Sequence, residues 1–216
     1  MKQNKIISEK DKNKKTIEAY DKNAPFYASK FDSYGVRFSD IDRAFKFNKS
    51  GSQKVLELGC GNGRDAEYIV SKAGKENYTG IDASEGLVRL AREKVTLAGQ
   101  AHVTFQIADM RDLSVSDETF GIIFSFAFVL HLKRDELADL VTKCQKSLKI
   151  GGILYISTKY GEYKELEIEN LNDKKYYYPY TPEDIQKIAG NGFETVYNIF
   201  QDSDYGPELV MALRKI

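Results

Sequence analysis

The stretch Val55-Leu56-Glu57-Leu58-Gly59-Cys60-Gly61-Asn62-Gly63-Arg64-Asp65 constrains the fold more than any other part of the chain. Val55–Leu58 is a short apolar run carrying one acid, the pattern of a buried strand. Three glycines at alternate positions follow, and then Ala66, Ile69, Val70 and Ala73 recur at helical spacing. The segment reads as strand, tight turn and helix. Glycine tolerates positive φ and lets a ligand lie against bare backbone. The spacing predicts that the turn amides and the first helical N–H groups point into one space, ready for an anion or a polar ligand edge. A turn serving no ligand would need only one glycine.

The same unit repeats along the chain. Asn77–Asp82 is a second strand ending in an acid, and Ser84 is placed to cap a helix striped by Leu87, Leu90, Ala91 and Val95. His102–Ile107 alternates as a third strand and runs into Ala108-Asp109-Met110. Phe120–Phe128 is nearly continuous apolar sequence, the mark of a central strand covered on both faces. It leads into Val129-Leu130-His131-Leu132. A helical pattern from Leu132 to Leu148 follows, with Gly151-Gly152 expected to cap it before a fifth strand at Ile153–Ser157. Alternating strands and helices imply right-handed crossovers and a parallel sheet, with ligands outside the carboxyl ends of the strands. Asp82 stands at such an end, where a carboxylate can accept both hydroxyls of a ribose.

The flanks read differently. Residues 1–10 are polar and basic, a solvated tail. From Asp11 to Lys30 the pattern is helical, with Ile17, Tyr20 and Ala24 on one face and Tyr27 and Phe31 continuing it past Pro25, which kinks the helix or starts another. Phe38, Ile41, Ala44 and Phe45 form one more stripe before a polar break at 48–52. Charge dominates Glu162–Glu169, and Tyr176-Tyr177-Tyr178-Pro179-Tyr180 follows as a set of surface tyrosines suited to small organic ligands, or as an aromatic strand packed on the body. Thr181-Pro182 starts a helix ending at Gly190-Asn191-Gly192, and Phe193–Phe200 with Glu208–Leu213 make a closing hairpin.

Thirty-two basic residues balance 32 acidic ones, so no global charge favours nucleic acid or a membrane surface. No run approaches about 18 apolar residues, and the N-terminus lacks the apolar core of a signal peptide. We therefore expect a soluble, cytoplasmic, single-domain protein. Two cysteines, Cys60 and Cys144, and two histidines far apart in sequence make neither a disulfide framework nor a zinc cluster, and no metal is expected.

Glu57, Gly59, Gly61 and Gly63 spell E-x-G-x-G-x-G, with Arg64 where a dinucleotide fingerprint needs its third glycine. This resembles the first motif of class I S-adenosylmethionine (SAM)-dependent methyltransferases. Asp82, Asp109, the apolar fourth strand and the Lys-Ile-Gly-Gly strand fall in the order that family uses. The resemblance covers residues 54–160 well and the flanks moderately. It implies a Rossmann-like α/β sandwich: a mostly parallel seven-stranded sheet, an antiparallel C-terminal hairpin and helices on both faces. Residues 1–48 would be an N-terminal helical cap, 54–158 the SAM-binding core, 159–180 a lid insert, and 181–216 the C-terminal helix and edge strands. The cofactor would be SAM, with S-adenosylhomocysteine as product. It would be bound by Tyr20, Tyr27, Glu57, Gly59, Cys60, Gly61, Gly63, Arg64, Asp82, Ala83, Asp109, Met110 and Phe126. In the family the acid at Asp109 accepts from the adenine amino group and its neighbour packs on the ring, and Arg64 could pair with the cofactor carboxylate or stay solvated. His131 is the candidate general base; a structural histidine is the other reading. The acceptor would be a small-molecule O, N or S nucleophile, with no nucleic acid and no membrane, handled by a monomer or homodimer. A tRNA or protein methyltransferase, a non-catalytic SAM-binding protein and a NAD-linked dehydrogenase are the alternatives, the last opposed by Arg64.

Overall fold

A computed structural model of the chain describes residues 9–99, 103–114, 116–203 and 206–216. The basic segment at residues 1–8 and His102 lie outside the described residues. Three helices come first: α1 (Glu9–Lys22), α2 (Ala24–Ser33) and α3 (Phe38–Phe47). The break between α1 and α2 falls at Asn23, and Pro25 occupies the first turn of α2, where a missing N–H costs nothing. The body then alternates: β1 (Val55–Leu58), α4 (Ala66–Ala73), β2 (Tyr78–Asp82), α5 (Glu85–Leu97), β3 (Thr104–Ile107), β4 (Phe120–Phe126), α6 (Arg134–Ser147) and β5 (Leu148–Lys159). A small hairpin, β6 (Leu166–Asn170) and β7 (Asp173–Tyr177), precedes α7 (Pro182–Ala189), β8 (Phe193–Ser203) and β9 (Gly206–Lys215).

The main sheet has seven strands in the order β3-β2-β1-β4-β5-β9-β8. β1 to β5 pair in parallel, and β9 pairs antiparallel with both β5 and β8. Each central strand feeds two cores because side chains alternate across the sheet. Leu56, Ile123, Leu154 and Ile156 enter one, against α6 and α7; Val55, Ile122, Phe124 and Tyr155 enter the other, against α3 and α4. Every residue of β4 from Gly121 to Phe126 is buried, which explains its unbroken apolar sequence. Ser84 and Thr181 cap α5 and α7 by accepting from Leu87 N and Asp184 N.

Two local expectations are corrected. Gly151-Gly152 does not cap α6: the chain passes from Ser147 directly into β5. Phe120 pairs with Leu148 and Ile122 with Ile153, so the residues between Leu148 and Ile153 bulge out, and Gly151 takes φ +78° there. Second, of the two readings of the tyrosine cluster, surface tyrosines give way to the aromatic strand packed on the body. Tyr176, Tyr178 and Tyr180 are buried, and Tyr180 Oη donates to Leu132 O at 2.6 Å. The β6–β7 hairpin turns through Leu171 and Asn172, both at positive φ. It stands apart from the main sheet and lies on α1, where Tyr176 N donates to Thr16 Oγ1.

Candidate active site

Parallel strands end together, and the loops leaving the carboxyl ends of β1, β2 and β4 meet α1, α2 and the β6–β7 hairpin around one cavity of about 470 Å³. Tyr20, Tyr27, Glu57, Gly59, Cys60, Gly61, Arg64, Asp82, Ala83, Asp109, Met110, Phe126 and His131 all line it. Gly63 does not. A Cβ there would meet Ala91 at 3.1 Å and Phe105 at 3.2 Å, so this glycine lets the turn pack on α5 and β3.

The turn itself differs from its sequence reading. Gly59 N and Cys60 N both donate to Ile81 O, Gly61 N to Asp82 Oδ2, and Gly63 N to Cys60 O. These amides are therefore used within the protein and are not free donors for an anion. What the glycines provide is backbone shape: Gly59 has φ +71°, and a Cβ on it would lie 2.6 Å from Phe128 Cβ. Asp82 accepts from Gly61 N and Ser84 N, each at 2.9 Å, one per carboxylate oxygen. Burial still pushes its pKa up. Glu57 is fully buried and accepts from Tyr78 Oη at 2.5 Å; burial first, and then the charge of Asp65, raise its pKa to about 8. Arg64 is not a solvated arginine: it grips the buried Asp65 at 2.5 Å. Asp109 accepts from the Arg111 backbone amide and side chain. Met110 packs in the core beside it.

His131 sits in a single 3₁₀ turn, Val129–His131, just past β4. Ala127, two residues before that turn, has φ +51°, and both Ser157 O and Ser157 Oγ of the neighbouring strand accept from its N–H. His131 Nδ1 lies 3.3 Å from Tyr176 O, which can only accept, so the ring proton sits on Nδ1. Nε2 is then left as an acceptor facing Tyr20 Oη at 3.4 Å, and Tyr20 Oη lies 3.3 Å from Tyr177 Oη. Burial lowers the His131 pKa to about 3, opposed by the Tyr176 carbonyl and aided by Lys175 and Arg111. The imidazole is neutral at pH 7. Burial also raises Tyr20 well above its ordinary value.

Sequence reasoning missed two groups of the wall. Arg37 donates to Glu208 Oε1 at 3.0 Å and lies over the Phe126 ring; no periodic signal marked it. Lys175 is 4% exposed, with its ammonium 4.7, 4.3 and 5.6 Å from the ring centres of Tyr20, Tyr27 and Tyr177. Burial, then the charge of Lys30, lowers its pKa to about 8. Strand alternation over Lys175 and Tyr177 puts them on one face, a signal that becomes readable only once 173–177 is known to be a strand. Among the described residues no group of three or more His, Cys, Asp or Glu could hold a metal, and no helix is long and apolar enough to cross a membrane.

Residues 55–152 match the family model described as a methyltransferase domain. The chain is 32% identical over 123 residues to a phosphoethanolamine N-methyltransferase of Plasmodium falciparum, covering 57% of this chain and 44% of that protein. It is 31% identical over 120 residues to a malonyl-[acyl-carrier protein] O-methyltransferase of Bacillus anthracis, covering 56% and 42%. The match thus spans less than half the length of these curated relatives. Among solved structures, the Burkholderia thailandensis 1,6-didemethyltoxoflavin-N1-methyltransferase, with its substrate and S-adenosylhomocysteine bound, superposes with a TM-score of 0.78 at 15% identity, over 98% of this chain and 92% of that one.

Proposed function

We propose that the chain is a class I SAM-dependent methyltransferase, a reading its matched domain and its fold support, and that it transfers the methyl group of SAM to an O, N or S atom of a small molecule. The observation that carries this reading is that one cavity is lined both by the glycine turn with Asp82 and by the His131–Tyr20 pair.

The wall fits the cofactor. Each oxygen of Asp82 accepts one backbone amide and keeps capacity for a ribose hydroxyl. Arg37 Nε, Asn62 Oδ1 and Thr158 Oγ1 are buried without partners among the described residues, and all three residues line the cavity. Buried polar atoms of this kind call for a polar ligand or water. Asp82 would hold the ribose, Asp109 and Met110 the adenine, and the Glu57–Gly61 turn with Arg37 and Arg64 the amino-acid end. Bound SAM supplies an electrophilic methyl group on a sulfonium.

The chain's own residues then position the acceptor and take its proton. Tyr20 Oη donates to His131 Nε2, so a proton accepted at Tyr20 can pass to Nε2 while Nδ1–H stays on the Tyr176 carbonyl. Helices α1 and α2 form the cap, and residues 159–180, containing the hairpin, form the lid that keeps water from this pair. Cys60, the cysteine of the wall, is not needed as a nucleophile: burial raises its thiol well above the ordinary pKa.

Incubation with methyl-labelled SAM and a metabolite pool tests the reading. Label in a small molecule supports it. Label in RNA or protein, or binding of SAM with no turnover on any pool, refutes it in favour of a macromolecular acceptor or a non-catalytic SAM-binding protein.

A further inference from the structure

Lys175 is the one buried lysine among the described residues, and it has no carboxylate within ion-pair distance and no hydrogen-bond acceptor among them. Three tyrosine rings surround its ammonium at 4.3 to 5.6 Å. Ring faces attract a cation, but they leave its three N–H donors unmade. Burying a charge in that state is costly unless something pairs with it. Lys30, which lines the same cavity, brings a second positive charge toward this end. Tyr27 adds a third group: its hydroxyl is buried and has no partner among the described residues. Two cations and an orphaned hydroxyl therefore converge here; the acid nearest Tyr27, Asp173, is taken up by Lys22 and Asn23 and forms no ion pair with Lys175 among the described residues.

This end of the cavity also has a fixed relation to the His131 pair. The Tyr20 ring that flanks Lys175 carries the hydroxyl that faces His131 Nε2, and Tyr177 touches both. A ligand reaching from Lys175 past Tyr20 presents its far atoms to that pair. Building on the methyltransferase reading, we propose that Lys175, helped by Lys30 and the Tyr27 hydroxyl, receives an anionic group of the methyl acceptor, a phosphate ester or a carboxylate. The acceptor class is thereby narrowed to small anions with a nucleophile a few bonds from the charge. The tyrosine cage serves to hold the ammonium in place while the site is empty.

The test titrates the S-adenosylhomocysteine-saturated full chain by calorimetry with ethyl phosphate, propionate and neutral propionamide. Ethyl phosphate binding, propionate binding, or both, with none for propionamide, is expected, and the stronger of the two anions identifies the source of the charge. Lys175→Met should weaken that binding by about tenfold or more, the scale of hydrogen bonds to a charged group. Tyr27→Phe keeps the ring and should weaken it by a few-fold. S-adenosylhomocysteine affinity and the circular-dichroism melting curve should be unchanged in Lys175→Met. Failure of both anions to bind, or anion binding untouched by Lys175→Met, overturns the proposal. So does a loss of S-adenosylhomocysteine affinity in that variant, which would make Lys175 part of the cofactor site. Failure of the wild type to bind S-adenosylhomocysteine at all instead overturns the methyltransferase reading on which the proposal rests.

Discussion

At the scale of single residues, protonation separates what each polar group of the cavity can do. An imidazole at its ordinary pKa of 6.5 would impose an acidic limb on the rate near neutrality. Burial has moved His131 to about 3, so its Nε2 stays unprotonated through the mildly acidic range. The wild-type rate should therefore show no His131-dependent fall until pH approaches about 3. His131→Ala should keep S-adenosylhomocysteine affinity and lower turnover, by less than the roughly 100-fold of a base matched to neutral pH, because a pKa of about 3 makes Nε2 a weak base; steady-state kinetics on the identified acceptor checks both. Glu57 is shifted the other way. Its folded-state pKa of about 8 lies above the ordinary 4.5, so the folded chain holds this proton more tightly. The stability this contributes is fully present below 4.5 and is lost as pH rises through about 8. Melting temperature should fall over that window in the wild type, and Glu57→Gln should flatten the alkaline part of the decline. Asp82→Ala, read by calorimetry, should weaken S-adenosylhomocysteine binding about 10- to 100-fold.

At the scale of elements, the β6–β7 hairpin owes its position to α1. The main sheet lends it no strand pairing. Several of its links to the cap are exposed charges, such as Lys22 with Asp173 at 3.0 Å, and exposed pairs contribute little. The buried bond from Tyr176 N to Thr16 Oγ1 is different, because removing the acceptor strands a buried donor. Thr16→Val keeps the shape and should cost about 1–3 kcal/mol of local stability. Hydrogen exchange across β6 and β7 should quicken while β1, β4 and β5 exchange as before. If the hairpin exchanges no faster, it is held by its buried tyrosines and not by α1. The glycine turn is the second element open to such a test. Gly61→Val would force a β-branched residue to φ +54° beside Phe31 and should abolish cofactor binding, as a thermal-shift titration with S-adenosylhomocysteine would register.

At the scale of the whole molecule, the cavity joins two parts built on different principles, a regular sheet and an irregular cover. A ligand filling it should stabilise both: at a hundred times its Kd, S-adenosylhomocysteine should add about 2.7 kcal/mol, and NAD nothing. The sequence by itself determined the sheet half. Period-2 and unbroken apolar runs set the strands, helical stripes set α3 to α7, and the handedness of crossovers put Gly59, Asp82 and Asp109 at one edge. These are local patterns with one geometric solution, so they could be read without coordinates. The cover was decided only in three dimensions. Lys175 is separated by well over a hundred residues from Tyr20 and Tyr27, and His131 by 45 from Tyr176, whose carbonyl fixes its tautomer. No periodicity couples such distant positions. The turn amides, free in the sequence reading, were claimed by Ile81 O and Asp82 once β1 and β2 lay side by side. Burial did the rest: desolvation depends on what packs around a group, and only the tertiary structure could make a neutral histidine and an unpaired lysine neighbours in one cavity.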